Sequence, residues 1–213
     1  MGMPPARTIA IPNGVRLQPF ADAVAQPFAQ RIPGIVMVAR FSRQKDHATL
    51  LRAVALLRER GLAPPLLFAG GGKDLHRRPL EKLADELGIA AQVQFLGVVR
   101  DVPQRLMAHQ LCVLSTHYEG MPLALLEGMA AGCAVVGSAV PGVREVLDDG
   151  VDGLLVAEAD APARADALER VLRDPPFGAR LAAAARRAAA EKYSRERMNR
   201  RYEELFLSLA RGA

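Results

Sequence analysis

The chain reads as an α/β protein, a doubly wound parallel sheet of six strands with helices at its C-terminal end. Three observations predict this. Short apolar runs alternate with longer segments of helical periodicity, as in a parallel sheet covered on both faces. Glycines close several of these runs, at Gly70 to Gly72 and at Gly97. The unusual polar and basic residues fall just after the runs, in the loops that lead into helices.

In chain order, Ile35 to Phe41 reads as the first strand, and Asp46 to Arg60 as a helix with Leu50, Val54 and Leu57 on its apolar stripe. Leu66 to Ala69 is the second strand. Leu75 to Leu87 is a helix closed by Gly88, and Val93 to Leu96 a strand closed by Gly97. Val102 to Ala108 makes a short helix and Leu111 to Ser115 the fourth strand. Leu123 to Ala131 is a buried helix, Ala134 to Gly137 a strand, Val143 to Leu147 a helical turn and Gly153 to Val156 the last strand. The remainder is helical: Arg164 to Arg173, a break at Pro175 and Pro176, then Ala179 to Ala190 and Glu196 to Ala210.

At 213 residues, with 50% apolar and 24% charged, the composition suits one well-cored domain with a small appendage. No apolar run resembles a signal peptide or approaches the ~18 residues of a membrane span, so the expected location is the cytoplasm. Cys112 and Cys133 sit in or beside apolar runs with no further ligand nearby, which predicts two buried free thiols and no metal site. The net charge of +5 comes mainly from arginine, since only Lys45, Lys73, Lys82 and Lys192 are lysines. No aromatic platform or recognised motif accompanies that charge, and nucleic acid is not an expected partner.

Glu119 and Glu127 are the most informative residues. Glu127 is the only side-chain charge between Gly120 and Val143. A carboxylate in so apolar a stretch must reach solvent at the helix edge or find donors, from a neighbouring backbone or from ligand hydroxyls. Gly120 permits a tight turn and Pro122 suits the first position of a helix, whose free N–H groups and dipole favour a phosphate. Glu127 would lie roughly 7 Å further along the axis, in reach of vicinal hydroxyls such as those of a ribose. In a doubly wound sheet ligands bind at the carboxyl ends of the strands. Arg40 and Lys45 flank the first such loop, Gly70 to Lys73 the second, Gly97 to Arg100 the third and Glu119 to Leu123 the fourth. Arginine and lysine converging on a helix N-terminus would clamp a diphosphate and stabilise it as a leaving group without a divalent metal.

Five segments in order carry a family resemblance: Ile-Pro-Asn-Gly-Val (11–15), Val-Ala-Arg-Phe-Ser-Arg-Gln-Lys-Asp-His (38–47), Phe-Ala-Gly-Gly-Gly (68–72), Val-Gln-Phe-Leu-Gly (93–97) and Glu-Gly-Met-Pro-Leu-Ala-Leu-Leu-Glu-Gly-Met-Ala-Ala-Gly (119–132). Together they resemble the C-terminal, donor-binding half of the retaining GT-B glycosyltransferases of group 1. The likeness continues through 139–146 and 150–156 and covers residues 11 to 211. It implies a Rossmann-like domain that binds a nucleotide-diphosphate sugar and needs no cofactor. Arg40 and Lys45 match the basic pair that holds the diphosphate, and the backbone from Gly120 through Met121 and Pro122 to Leu123 matches the phosphate-binding turn. Glu127 matches the acid on the ribose and Glu119 the acid near the reacting carbon of the sugar. Val98 and Val99 resemble the segment whose backbone reads the base.

The family places a second, acceptor-binding domain before the Asn-Gly-Val hinge, whereas here about ten residues precede Asn13. The expected division is therefore a hinge remnant at 1–14, a nucleotide-sugar-binding domain at 15–193 and a crossover helix at 194–213. The chain is expected to start at the hinge, as a cloned domain, a split-gene product or a truncated frame would, and to have little transfer activity alone. A stand-alone nucleotide-sugar-binding module is the alternative. A dinucleotide oxidoreductase is disfavoured, because Gly70 to Gly72 lacks the spaced glycine fingerprint and the acidic residue beyond it. Tyr202, Leu205, Phe206 and Leu209 give the last helix an apolar stripe, for a homodimer or a separate N-terminal chain to cover.

Overall fold

A computed structural model describes residues 8–24 and 26–211. Its centre is one sheet, every pairing parallel, in the order β3-β2-β1-β4-β5-β6. The strands are β1 (Ile32–Val38), β2 (Leu66–Ala69), β3 (Val93–Gly97), β4 (His109–Leu114), β5 (Ala134–Ser138) and β6 (Leu154–Val156). Between and after them run α1 (His47–Glu59), α2 (Asp74–Glu86), α3 (Val102–Ala108), α4 (Leu123–Ala130), α5 (Pro141–Arg144), α6 (Ala161–Arg173), α7 (Pro175–Lys192) and α8 (Arg195–Arg211). The order reverses between β1 and β4, which creates the crevice where such sheets take their ligands.

The central strands are buried on both faces because helices cover both sides. Side chains alternate accordingly: Ile35 and Met37 of β1 and Leu111 and Val113 of β4 pack with α1 and α6 on one face. Val36, Cys112 and Leu114 pack with Leu125 and Met129 of α4 and Ala185 and Ala189 of α7 on the other. Registry follows from this, with Ile35 opposite both Leu66 and Leu111. Both cysteines are free and buried. Burial pushes the Cys133 thiol up to about 12.

Three helices start as their sequences dictate. Asp46 accepts the Thr49 N–H at 3.1 Å, Asp160 that of Ala163 at 2.8 Å and Asp174 that of Phe177 at 2.9 Å. Pro175 and Pro176 thus open α7 behind the Asp174 cap, and the break lies one residue earlier than they suggest. β1 begins at Ile32, ahead of the expected Ile35, and crosses Pro33 and Gly34 where its register against β4 shifts. Gly34 is needed there, because a Cβ would meet Pro65 Cγ and His109 Cδ2 at 2.8 Å. α5 forms at Pro141, two residues before the expected turn. Short 3-10 turns at Gln18–Val24, Phe28–Gln30 and Ala90–Gln92 leave no periodic signature and were not foreseen.

Val15 pairs with Ser194, and Arg201 donates to the Ala10 carbonyl at 2.9 Å, so the segment at 10–15 runs beside the start of α8. Of the expected hinge and crossover segments, residues 1–7 and 212–213 lie outside the described residues. Among the described residues no helix is long and apolar enough to cross a membrane.

Candidate functional site

The loop after β1 and the loop after β4 are laced together at the reversal point. Asp46 N–H donates to the Ser115 carbonyl and His117 N–H to that of Gln44, both at 3.0 Å. Lys45 bridges to Thr116, whose Oγ1 lies 3.1 Å from the carbonyls of both Gln44 and Tyr118. This lacing fixes what the loops present. Lys45 forms an ion pair with Glu119, and Gln44 Nε2 donates to the same carboxylate at 3.1 Å and to the Tyr118 carbonyl at 2.8 Å.

Burial, then the neighbouring Arg40, lowers the pKa of Lys45. Such a cation favours any further anion that enters. Arg40 itself is exposed and lines a cleft of about 560 Å³ with Ser42, Arg43, Lys73, His76 and Tyr118. Beneath the clamp His47 donates or accepts through Nδ1 at the Lys45 carbonyl, 3.1 Å away, and its ring packs on Phe41 and Phe68. Burial holds its pKa down at about 4, against the pull of that hydrogen bond and of Asp46.

The turn into α4 differs from expectation in two details. Pro122 is the residue before the helix, and the Leu123 N–H turns back onto the Met121 carbonyl at 3.0 Å. Gly120 is outside the left-handed region, and a Cβ on it would meet nothing within 4 Å. The chain's own packing therefore does not demand this glycine. The space in front of it is open to solvent, while the Glu119 and Gly120 carbonyls are closely approached from behind by Gly142 of α5, where a Cβ would come within 2.4 Å of both.

Glu127 lies one turn beyond Leu123 and shares its cleft of about 400 Å³ with Gly14, Arg16, Arg100 and Arg195. Burial raises its carboxyl above the usual range, and Arg16 opposes the rise. Gly120 and Met121 line a third cleft, about 450 Å³, with Asn13, Glu145 and Tyr193. The structure thus brings Arg40, Lys45 and Glu119 into one group. It sets Glu127 in a separate cleft, which shares no lining residue with that of Arg40. Val98 is 81% exposed with a methyl over Gly71, and Val99 beside it is half-buried.

Sequence reasoning missed Gln44, Arg16 and the buried Arg164. The signal for Arg164 was present: it shares the buried face of α6 with Leu168 and Val171, at spacings where an apolar residue belongs.

The sequence profile described as Glycosyl transferases group 1 matches residues 23–188. The putative glycosyltransferase EpsD of Bacillus subtilis (strain 168) is 32% identical over 155 residues, which is 73% of this chain and 40% of that protein. The D-inositol 3-phosphate glycosyltransferase of Corynebacterium urealyticum is 35% identical over 196 residues, 88% of this chain and 45% of that one. The chain therefore spans less than half the length of either relative. Among solved structures, Anabaena Alr3699/HepE in complex with UDP and glucose superposes with a TM-score of 0.85 at 22% identity, over 97% of this chain and 59% of that one. The C-terminal domain of a group 1 glycosyl transferase (LpcC) from Francisella tularensis gives 0.69 at 23% identity, over 86% of this chain and 95% of that one.

Proposed function

This chain belongs to the group 1 glycosyltransferases, and from that premise we propose that it is the donor half of a transferase acting on a nucleotide-diphosphate sugar with retention of anomeric configuration. The observation that carries the reading is the group of Arg40, Lys45 and Glu119 at the switch point of the sheet, facing the open turn at Gly120. When the donor enters, its diphosphate replaces Glu119 as the partner of Lys45. Arg40 and the N-terminus of α4 complete the clamp through the turn at Gly120, Met121, Pro122 and Leu123. The freed Glu119 accepts hydroxyls of the sugar close to its reacting carbon. Glu127 takes the ribose hydroxyls, and the Val98–Val99 backbone faces the base.

Charge that develops on the leaving diphosphate is met by Lys45, already placed at the switch point, and by Arg40 beside it, without a further cofactor. In a retaining transfer the acceptor attacks the face from which the diphosphate departs. Its pocket is assigned to sequence outside these 213 residues, either a separate N-terminal chain or further length such as the relatives carry. The segments at 10–15 and in α8 run side by side and would form the two crossings toward it. Positioning both reactants accounts for a large part of such a rate enhancement, so these residues alone bind donor and transfer little.

Calorimetry against UDP, GDP, ADP and their sugar conjugates tests the reading; Anabaena HepE was solved with UDP and with UDP-glucose. At least one diphosphate is expected to bind. Lys45→Ala and Arg40→Ala each weaken it by about 1.5–3 kcal/mol, the range for charged hydrogen bonds. Failure of every diphosphate to bind, or unchanged affinity in both variants, rejects the assignment.

A further inference from the structure

Arg164 of α6 is a buried cation that the clamp leaves unused. Its side chain is inaccessible to solvent, yet among the described residues its one hydrogen bond runs from Nη2 to Ser138 Oγ at 3.1 Å. Nε and Nη1 have no hydrogen-bond partner, nor do the buried Asp46 Oδ2 and Ser115 Oγ. A guanidinium so placed is a poor stabiliser, because desolvation exceeds what one neutral hydrogen bond returns. Burial lowers its pKa to about 10, with Asp46 and Asp160 pulling the other way. Leu168 and Val171 on the same stripe show that an apolar side chain would suit the position.

The hydrogen bonds beyond Ser138 lead to the clamp. Ser138 Oγ also accepts the Thr116 N–H at 2.9 Å and points its own proton toward the Leu114 carbonyl, 3.5 Å away, so its capacity is used in full. Thr116 Oγ1 reaches the Gln44 and Tyr118 carbonyls, and Gln44 Nε2 holds Glu119. Asp46, the cap of α1, follows Lys45 directly and holds the Ser115 carbonyl through its own N–H. Every link from the guanidinium to the Lys45–Glu119 pair is therefore a hydrogen bond between named groups.

We propose that Arg164 is a positioning residue for the donor clamp: through Ser138 and Thr116 it sets the loop at 115–119 against the loop at 42–46, and it supplies the countercharge to Asp46 below them. The inference rests on the reading that the clamp takes a nucleoside diphosphate. Arg164 touches no ligand. It fixes the register in which Lys45 and Glu119 meet one.

Four variants in this chain separate the two ideas: Arg164→Met, Ser138→Ala, Lys45→Ala and Arg40→Ala. Each is measured for affinity toward the nucleoside diphosphate that binds the unaltered chain most tightly, and, without ligand, for amide exchange at Thr116. Arg164→Met is expected to stay folded, the relief of an underpaired charge offsetting the countercharge that the buried Asp46 loses. Its affinity nevertheless falls about tenfold, and Thr116 exchanges at least about tenfold faster as its acceptor loosens. Ser138→Ala, which retains the Arg164 charge, is expected to show the same two losses; unchanged affinity in that variant would reduce Arg164 to a distant electrostatic effect and overturn the relay. A folded Arg164→Met with the affinity and Thr116 protection of the unaltered chain overturns the proposal outright. If Arg164→Met does not fold, Ser138→Ala and Arg164→Lys decide by the same readouts. Lys45→Ala and Arg40→Ala variants that both bind like the unaltered chain reject the clamp itself, and Thr116 exchange then still reports on the relay.

Discussion

Glu127 and His47 show opposite ways in which burial near the clamp biases a titration, and each gives a pH test. The Glu127 carboxyl is raised above 4.5 by burial, with Arg16 opposing. Between the unfolded value and the raised native one, the native state holds more protons than the unfolded chain, so stability falls as pH rises through that window. Glu127→Gln removes this cost: the variant is expected to be at least as stable at pH 7, with the gain vanishing below pH ~4.5. It should also lose affinity for ribonucleotides while keeping it for inorganic diphosphate, and equal losses for the two ligands would mark a structural role. His47 behaves inversely, with a native pKa near 4 against 6.5 unfolded. The unfolded chain takes the proton first, so stability falls as pH drops from 6.5 to 4, by about 3 kcal/mol at the lower end at ~1.4 kcal/mol per pH unit. His47→Leu is expected to flatten that part of a denaturation-against-pH profile. Glu127 was legible in the sequence because a lone charge in an apolar helix is conspicuous. The ion pairing of Lys45 with Glu119 was not, because only the fold brings residues 74 positions apart together.

At the scale of elements, the agreement follows the sharpness of the boundary signal. β2 and α3 have their expected bounds because their apolar runs end at glycine, aspartate or a change of periodicity. The shifts at β1, α5 and the head of α7 all involve proline, whose local signal says that a regular element is interrupted without saying on which side. The turn into α4 misled for a related reason. Gly120 reads as a conformational need, yet it is free of any close approach on its own side, and the steric need falls on Gly142 and Gly128. Gly128 lets α4 lie against β4: a Cβ there would stand 2.4 Å from Cys112 Sγ and 2.6 Å from its Cβ. Gly128→Ala therefore forces the helix outward and is expected to cost about 1–3 kcal/mol in a denaturant titration, the range for overpacking. Donor affinity should fall with it, because the same helix carries Glu127 and starts at the phosphate turn. Stability within about 0.5 kcal/mol of the unaltered chain would show that the β4–α4 spacing is not fixed by this contact.

For the whole molecule, α8 is the element whose packing is least complete. It has no buried residue, and Phe206, Leu207 and Leu209 are 64%, 50% and 62% exposed, with Tyr202 stacked on Phe206 at 6.3 Å. Its N-terminal turns are anchored, since Gly14 N–H donates to Met198 Sδ at 3.3 Å and Arg201 holds Ala10, so the helix is fixed at its base while its apolar end is bare. A contiguous apolar surface of this kind marks an interface. The stripe is legible in the sequence because it repeats at helical spacing, whereas the surface that covers it depends on a second body. We expect the chain to self-associate through α8, or to dock through it on a separate N-terminal chain. Sedimentation over a range of concentrations should show a reversible rise in mass, and Phe206→Asp with Leu209→Asp should abolish the rise while leaving nucleotide affinity unchanged, since neither residue lines a donor cleft. A chain that stays monomeric at high concentration, with the apolar end of α8 protected from exchange by its own domain, would overturn this expectation.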